Sequence, residues 1–285
     1  MPLKNQVNTS GRKGLIGVIG GSGFYKLLED AELKIIETPF GPSPPLSIGY
    51  IGEVEVVFLP RHAKPSDDKI SHSIPPHAIN YKANIFSLHK LNVQRIIATH
   101  SCGSMKKIIK PGRLVLPDQF IDMTKRRDSS FFNGDGYWKP DLKTTVDALH
   151  VDVTKPFCPE LNQIIYSVCG EFGAKPLLRG VYVCTEGPRF ETPAEIKFFK
   201  MIGGDIVGMT LIPELVLARE LGICYSSISL VSNYAAGVSE EKVTFKEVIT
   251  GFEKNRDLLF KILKKAITRI PVEKSCGCGS NLKEC

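Results

Sequence analysis

The stretch GVYVCTEGPRFETPAEIKFF, residues 180–199, passes from a strand to a helix through one short loop. Residues 180–185 form an apolar, β-branched run of strand length. Thr192 can cap a helix, Pro193 suits the first helical position, and Glu195 can complete a capping box. A strand followed by a capped helix is typical of an α/β fold. Glu191 has no part in this transition, so its presence suggests another role.

The same alternation extends over most of the 285 residues. The predicted strands are residues 14–20, a hairpin over 46–60, 93–104, 180–185, 205–209 and 223–231. The predicted helices are residues 77–91, 160–172, 192–202, 213–221 and a last helix that opens with a second capping box at Thr244 and Glu247. Residues 123–159 show no clear period and are interpreted as an excursion beside the site. These patterns predict one α/β sheet domain over 14–270, an N-terminal extension over 1–13 and a tail over 271–285.

The chain is 42% hydrophobic and carries a net charge of +7. Its basic residues are spread along the sequence, and the longest cluster, residues 125–127, is followed directly by Asp128. This pattern argues against nucleic-acid binding and favours a small anionic substrate. The N-terminus has no apolar signal region, and no run of about 18 apolar residues occurs. The sequence therefore predicts a cytoplasmic protein without membrane contact.

The eight cysteines fall into two groups. One group lies in or beside apolar segments and is predicted to be buried thiols: Cys102, Cys158, Cys169, Cys184 and Cys224. The other group, Cys276, Cys278 and Cys285, lies in the Gly-rich tail SCGCGSNLKEC and is compatible with a redox pair, a soft-metal site or a flexible terminus. A Cys-x-Cys pair supplies too few ligands for a closed zinc site. A redox or stabilising role is therefore favoured, and no metal is expected.

Polar residues cluster at the predicted strand ends, where ligands bind in open α/β sheets. The loop GVIGGSGF offers backbone N–H groups and the Ser22 hydroxyl to an oxyanion, although it matches neither the Rossmann nor the Walker pattern. Arg61 and His62 end another strand, and Thr210 precedes the helix at 213. Each feature also has a simpler interpretation: a tight turn, a solvated surface arginine and a helix cap.

Taken together, nine segments resemble the trimeric or hexameric purine nucleoside phosphorylases and their methylthioadenosine phosphorylase branch. The matching segments are GVIGGSGFY (17–25), TPFG (38–41), PRH (60–62), IPPHAINYKANI (74–85), CGSM (102–105), DQFIDMTK (118–125), PFCPEL (156–161), EGPRF (186–190) and GMTLIPELVLARE (208–220). The resemblance covers nearly the whole chain. It implies a twisted, partly barrel-like mixed sheet surrounded by helices, and a homotrimer or hexamer.

The resemblance also implies reversible phosphorolysis of purine nucleosides, with phosphate as co-substrate and no metal or organic cofactor. It assigns phosphate binding to Ser22, Arg61, His62, His100, Ser101 and Thr210. It assigns substrate binding to Phe190, Glu191, Met209, Asn233, Tyr234, Ala235 and Phe245. Asn233 and His62 are the expected catalytic residues. His100 stands where a small residue is commoner in the family, so it either binds phosphate or supports Ser101.

This resemblance offers a role for Glu191. A 6-oxopurine presents an N1–H donor and an O6 acceptor, which a carboxylate and an amide such as Asn233 can read. The methylthioadenosine branch typically has serine at the position of Glu191 and Asp-Tyr-Asp where this chain has Asn233-Tyr234-Ala235. The sequence therefore favours inosine and guanosine. A solvated loop acid at 191 and a turn-supporting Asn233 remain alternatives.

The 5′ end of the sugar leaves the substrate open. Phe245 stands where the family contacts the 5′ substituent, and it offers no hydrogen bond to a hydroxyl. Methylthioinosine and methylthioadenosine are therefore alternative substrates. A non-catalytic nucleotide or nucleic-acid binder is the rival of a different class, and turnover that depends on phosphate separates it from an enzyme.

Overall fold

The computed structural model describes residues 15–67, 72–132 and 149–279. Its strands are β1 Ile16–Gly20, β2 Glu32–Lys34, β3 Leu46–Ile51, β4 Val54–Pro60, β5 Arg95–Ser104, β6 Leu114–Met123, β7 Leu177–Thr185, β8 Ile206–Gly208 and β9 Cys224–Tyr234. Its helices are α1 Tyr81–Lys90, α2 Pro159–Glu171, α3 Pro193–Met201, α4 Glu214–Glu220, α5 Phe245–Glu253 and α6 Arg256–Arg269, with a 3₁₀ turn at Pro76–Ala78. The α/β fold predicted from the sequence is confirmed.

The nine strands of this region form one mixed sheet in the order β2-β3-β4-β1-β5-β8-β7-β6-β9. Strand β9 also pairs with β5, so β5, β8, β7, β6 and β9 close into a ring while β1 to β4 extend from it. Strands β1, β4, β5 and β9 run parallel to their neighbours in this group. The predicted partly barrel-like sheet is therefore confirmed, and the carboxyl ends of these four strands share one edge.

Helices cover the centre of the sheet, where β1, β4, β5 and β9 are buried on both faces. One buried cluster joins the sheet to α1 and α4, and a second joins it to α2, α5 and α6. None of the helices in the described residues is both long enough and apolar enough to cross a bilayer. Packing on both faces of the sheet thus holds in place the edge formed by the carboxyl ends of β1, β4, β5 and β9.

Several boundaries differ from the sequence prediction. The capping box at Thr192 is present, but at Thr244 only the threonine half forms, with Glu247 N donating to its hydroxyl. The predicted last helix is wrong as one element, because it breaks between Glu253 and Arg256 into α5 and α6. Helix α1 begins later than predicted, after the 3₁₀ turn. Residues 1–14, 133–148 and 280–285 lie outside the described residues, and with them the N-terminal extension, the middle of the excursion and Cys285.

A β-bulge lies near the end of β9. Cys102 pairs with Val231, whereas the next residue of β5, Gly103, pairs with Asn233. Ser232 is therefore an extra residue on β9, and it resets the alternation of side chains just before Asn233. Helix α5 packs directly on this point, since a Cβ at Gly251 would lie 2.4 Å from the carbonyl oxygen of Ser232.

Candidate active site

A cavity of about 420 Å³ opens at the shared carboxyl edge of the parallel strands. Its size suits a small organic ligand. All of the sequence-predicted site residues except His100 and Tyr234 line this cavity: Ser22, Arg61, His62, Ser101, Phe190, Glu191, Met209, Thr210, Asn233, Ala235 and Phe245. Residues from distant parts of the sequence therefore meet at one place, as the topology of the sheet requires.

Arg61 forms the buried floor of one end of the cavity. Its Nε and Nη2 donate to Oε1 and Oε2 of Glu214 at 2.9 and 3.0 Å, and its Nη1 donates to the carbonyl oxygen of Thr99 at 2.8 Å. Burial alone would lower the pKa of Arg61 and raise that of Glu214, but their pairing raises the first and lowers the second to about 2. Both groups are therefore charged, and the guanidinium is held in one orientation.

Two hydroxyl groups face the same end. Ser22 lies in a tight turn over Arg61, and only glycine fits at position 21, because a Cβ there would lie 2.4 Å from Nη1 of Arg61. The Oγ of Ser101 is buried and has no hydrogen-bond partner among the described residues. A buried hydroxyl without a partner is costly unless a ligand supplies one. These groups form a cradle for an oxyanion.

His62 is a neutral member of this end. Its Nδ1 lies 2.7 Å from the carbonyl oxygen of Ile74, so Nδ1–H donates there and Nε2 carries the lone pair. Burial and the charges of His72 and Arg61 lower the pKa of His62 to about 3. At neutral pH the Nε2 of His62 can therefore accept a hydrogen bond and has no proton to donate.

Glu191 lies at the other end of the cavity. Thr185 Oγ1 donates to its Oε1 at 2.6 Å, which holds the carboxylate in place. Burial raises the pKa of Glu191, while the bond from Thr185 opposes that shift. The side chain therefore lines the cavity and is partly buried, unlike a fully solvated loop acid, and its second oxygen can accept from a ligand.

The amide of Asn233 is oriented by its neighbours. Its Oδ1 accepts from Ser232 Oγ at 2.7 Å, and its Nδ2 donates to the carbonyl oxygen of Tyr234 at 2.8 Å. The second hydrogen on Nδ2 can donate to a ligand. Glu191 and Asn233 thus supply an acceptor and a donor to the same cavity.

The wall between the two ends is apolar. Phe190, Met209, Ala235 and Val248 line it, and Phe245 stands half-exposed at its rim. The ring of Phe245 lies 5.6 Å from that of His72, measured between centroids. Such a wall can pack against a sugar and a flat base.

Two predicted residues lie elsewhere. His100 is buried behind Arg61, with Nδ1 2.9 Å from Ser227 Oγ and Nε2 3.7 Å from Glu214 Oε2. The Tyr234 hydroxyl donates to the carbonyl oxygen of Lys107, away from the cavity. Neither side chain is placed to touch a ligand in this cavity. His100 contacts Arg61, Glu214 and Ser227, so it supports the buried ion pair, and neither phosphate binding nor support of the Ser101 side chain is seen.

Sequence reasoning missed three residues that shape the site. Glu214 and Tyr225 are buried under Arg61, where the Tyr225 hydroxyl donates to Glu214 Oε2 at 2.7 Å. His72 stacks on His62 with centroids 3.9 Å apart, and its Nδ1 lies 3.3 Å from Ser22 Oγ. An acid at the start of the apolar helix 214–220 was the available signal for Glu214. Nothing in the local sequence marks His72 or Tyr225.

Comparison with known proteins finds relatives that match nearly the whole chain. The family model described as the phosphorylase superfamily matches residues 15–268. A probable 6-oxopurine nucleoside phosphorylase of Dictyoglomus turgidum is 48% identical over 94% of this chain and 97% of its own length. An S-methyl-5′-thioadenosine phosphorylase of Pyrococcus horikoshii is 45% identical over the same shares.

A solved structure agrees as well. Methylthioadenosine phosphorylase from Schistosoma mansoni, in complex with adenine, is 33% identical and superposes with a TM-score of 0.83 over 95% of this chain and 96% of that one. Sequence and fold thus match over nearly the full length of each relative. The chain belongs to the phosphorylase superfamily, as its motifs predict.

Proposed function

We propose that the protein catalyses reversible phosphorolysis of purine nucleosides and prefers 6-oxopurines such as those of inosine and guanosine. Overall identity does not decide the base, because relatives of both names lie within a few per cent of each other. The observation that carries the proposal is local: Glu191 and Asn233 line the same cavity as the oxyanion cradle around Arg61.

The cradle positions phosphate for attack on the anomeric carbon of the sugar. Arg61, Ser22, Ser101 and Thr210 would hold its oxygens, so the reaction gains by proximity and orientation. The transition state has positive charge on the sugar, which the bound anion stabilises. The C–O bond to phosphate forms as the C–N bond to the purine breaks, giving free base and ribose 1-phosphate.

His62 would act on the phosphate as an acceptor. Phosphate at neutral pH carries one or two P–OH groups, and the lone pair on Nε2 can bind one of them. This bond directs the remaining, negatively charged oxygens toward Arg61 and the sugar. Because its pKa is lowered to about 3, His62 would hold this P–OH group without taking its proton, which in the overall reaction ends on the released purine.

The base end would stabilise the departing purine. Glu191 accepts from N1–H, and the second Nδ2 hydrogen of Asn233 donates to O6 or N7, where negative charge develops as the glycosidic bond breaks. A 6-aminopurine has a lone pair at N1 that faces the carboxylate. The mismatch leaves buried groups unpaired and is the physical source of the preference.

A second candidate is phosphorolysis of a 5′-methylthio nucleoside. Phe245 at the rim favours it, since its ring offers contact area to a methylthio group and no hydrogen bond to a 5′-hydroxyl. This alternative changes the sugar substituent and leaves the assignment of the base unchanged for methylthioinosine.

The test is a phosphate-dependent release assay with inosine, guanosine, methylthioinosine and methylthioadenosine in parallel. We expect free hypoxanthine or guanine only when phosphate is present. Binding without turnover on all four nucleosides would contradict an enzyme of this class. Release of base without phosphate would contradict phosphorolysis.

Ser101→Ala is expected to weaken phosphate use without weakening the fold. Its Oγ has no protein partner to lose, while a bond from a hydroxyl to an anion is worth about 1.5–3 kcal/mol, or one to two orders of magnitude in binding. We expect the KM for phosphate to rise and the Tm to stay near the wild-type value. Ser104→Ala, whose hydroxyl donates to the carbonyl oxygen of Lys106, is the matched control on the same strand. An unchanged KM for phosphate in Ser101→Ala would remove this residue from the cradle.

The reaction uses phosphate as co-substrate and needs no metal or organic cofactor. We place the protein in the cytoplasm as a homotrimer or a hexamer, as the family resemblance implies. Sedimentation velocity on the full chain tests the assembly.

A further inference from the structure

Four cysteine sulfur atoms meet at the end of β9 that is remote from the cavity. The Sγ atoms of Cys158, Cys224, Cys276 and Cys278 all lie within 4.8 Å of one another. Those of Cys224 and Cys276 are 3.3 Å apart. Cys158 caps α2, Cys224 begins β9, and the other two come from the tail. Three separate parts of the chain thus contribute to one cluster.

The cluster is enclosed by the fold. Cys158 and Cys224 are completely buried and Cys278 is 5% exposed, with Leu161 and Ile270 packed around them. Among the described residues no other group of this kind places three or more potential ligands together. The cluster is therefore an interior feature of the fold and not a chance grouping on the surface.

The tail is docked by hydrogen bonds, so the two tail sulfurs are held in position. Arg95 Nη2 donates to the carbonyl oxygen of Glu273 at 2.7 Å, and the backbone N–H of Ser275 donates to Glu160 Oε2 at 3.3 Å. Between α2 and β9, the backbone N–H of Cys158 donates to the carbonyl oxygen of Tyr225 at 2.8 Å. The backbone around all four sulfurs is thus fixed independently of any bond between them.

Two cations stand beside the cluster. Arg219 is buried, and its Nη1 donates to the carbonyl oxygen of Cys278 at 3.1 Å, while its Nε has no partner among the described residues. Lys274 Nζ reaches the carbonyl oxygen of Gly222 at 3.4 Å, close to the start of β9. Positive charge beside a group of cysteines favours their thiolate forms.

We propose that these four cysteines form a tetrahedral tetrathiolate site for zinc. At a Zn–S distance of about 2.3 Å, tetrahedral geometry separates the sulfurs by about 3.8 Å, within the spread of this cluster. Each thiol loses its proton on binding. The divalent ion and four thiolates carry a net charge of −2, which Arg219 and Lys274 offset. The expectation of no metal rested on two ligands in the tail; the fold adds Cys158 and Cys224.

Such a site would stabilise the fold and leave the chemistry untouched. Cys224 and Asn233 are the first and tenth residues of β9, so about 30 Å of extended strand separates the zinc site from the base. Zinc would add a direct link among the tail, α2 and β9 to the hydrogen bonds that already connect them. This inference does not rest on the proposed function, and either can fail without the other.

The test uses the full, untagged chain, reduced and freed of metal by a chelator without oxygen, then titrated with Zn²⁺ or Co²⁺. We expect one ion per chain, thiolate-to-cobalt charge-transfer and tetrahedral d–d bands with Co²⁺, and a higher Tm with Zn²⁺. Cys278→Ser and Cys276→Ser should lose the bands and the rise in Tm. Cys169→Ser, a lone buried cysteine on α2, is the control and should keep both. The KM for phosphate should not change with metal.

The rival chemistry is a disulfide within the cluster. Alkylation of the untreated, denatured protein followed by mass spectrometry separates the two, because zinc-bound thiols are released and react, whereas disulfide sulfurs do not. A linked pair among the four cysteines would overturn the proposal. So would reduced protein that binds no more zinc than Cys278→Ser and Cys276→Ser do.

Discussion

For the wild-type enzyme, kcat/KM for inosine or methylthioinosine is expected to exceed that for the matching 6-amino nucleoside by up to ~10⁴-fold. The reason is the pair at the base end: with adenine, Glu191 faces the N1 lone pair and Asn233 faces an amino group. Glu191→Gln should lower kcat/KM for the oxo substrate by about one to two orders of magnitude, because a neutral amide is the weaker acceptor for N1–H. Steady-state kinetics on paired substrates measures both effects.

The control is Glu195→Gln. Glu195 lies in the same segment but bonds to Arg189 and the N–H of Thr192, so its loss should affect the start of α3 and not the choice of base. Asn233→Asp should shift the ratio toward adenine nucleosides, since Asp accepts from the 6-amino group. Wild-type enzyme that cleaves methylthioadenosine as well as both oxo substrates would contradict this role for Glu191.

The preference should also depend on pH. Burial raises the pKa of Glu191, so acidification protonates it before an ordinary glutamate. The protonated carboxyl can donate to N1 of adenine and can no longer accept from N1–H as a carboxylate. We therefore expect the 6-amino to 6-oxo ratio of kcat/KM to rise as pH falls in the wild type and to stay flat in Glu191→Gln.

Arg61→Ala is expected to lower both stability and phosphate use. Removing it leaves the Glu214 carboxylate buried without its cation, which costs about 3–5 kcal/mol in the free energy of unfolding. It should also remove the proposed charge-assisted bond to phosphate, which would be worth about 1.5–3 kcal/mol. Denaturant unfolding and the KM for phosphate report the two losses separately.

A double variant separates the two roles of Arg61. Arg61→Ala with Glu214→Gln removes the unpaired charge, so most of the lost stability should return. Phosphate use should not return, because no cation replaces the guanidinium. A double variant with wild-type KM for phosphate would show that Arg61 serves the fold alone.

The parts of the site that were predictable from sequence are those with a local signal. Glu191 stood out because the capping box of α3 already accounted for Glu195, and Arg61 and Ser22 stood out because each ends a strand. Glu214 and Tyr225 were not found, since their importance arises only when α4 and β9 pack under Arg61.

The fold, like the site, was predictable only where the sequence carries a local signal. Strands and helices with strong periodicity were predicted near their observed positions. The break between α5 and α6 was not, because Lys254 and Asn255 are ordinary residues in a helical pattern. Closure of the sheet through β5 and β9 is a long-range pairing that no local pattern encodes. The cysteine cluster was missed for the same reason.

The bulge at Ser232 determines how this site can diverge among relatives. Deleting one residue there would turn the side chain of Asn233 to the opposite face of the strand. It would also displace α5, because Gly251 rests on the Ser232 backbone, and with it Phe245. The positions proposed to recognise the base and the 5′ substituent, Asn233 and Phe245, therefore both depend on this bulge. Relatives with other substrates are expected to keep the bulge and to differ at these positions by substitution.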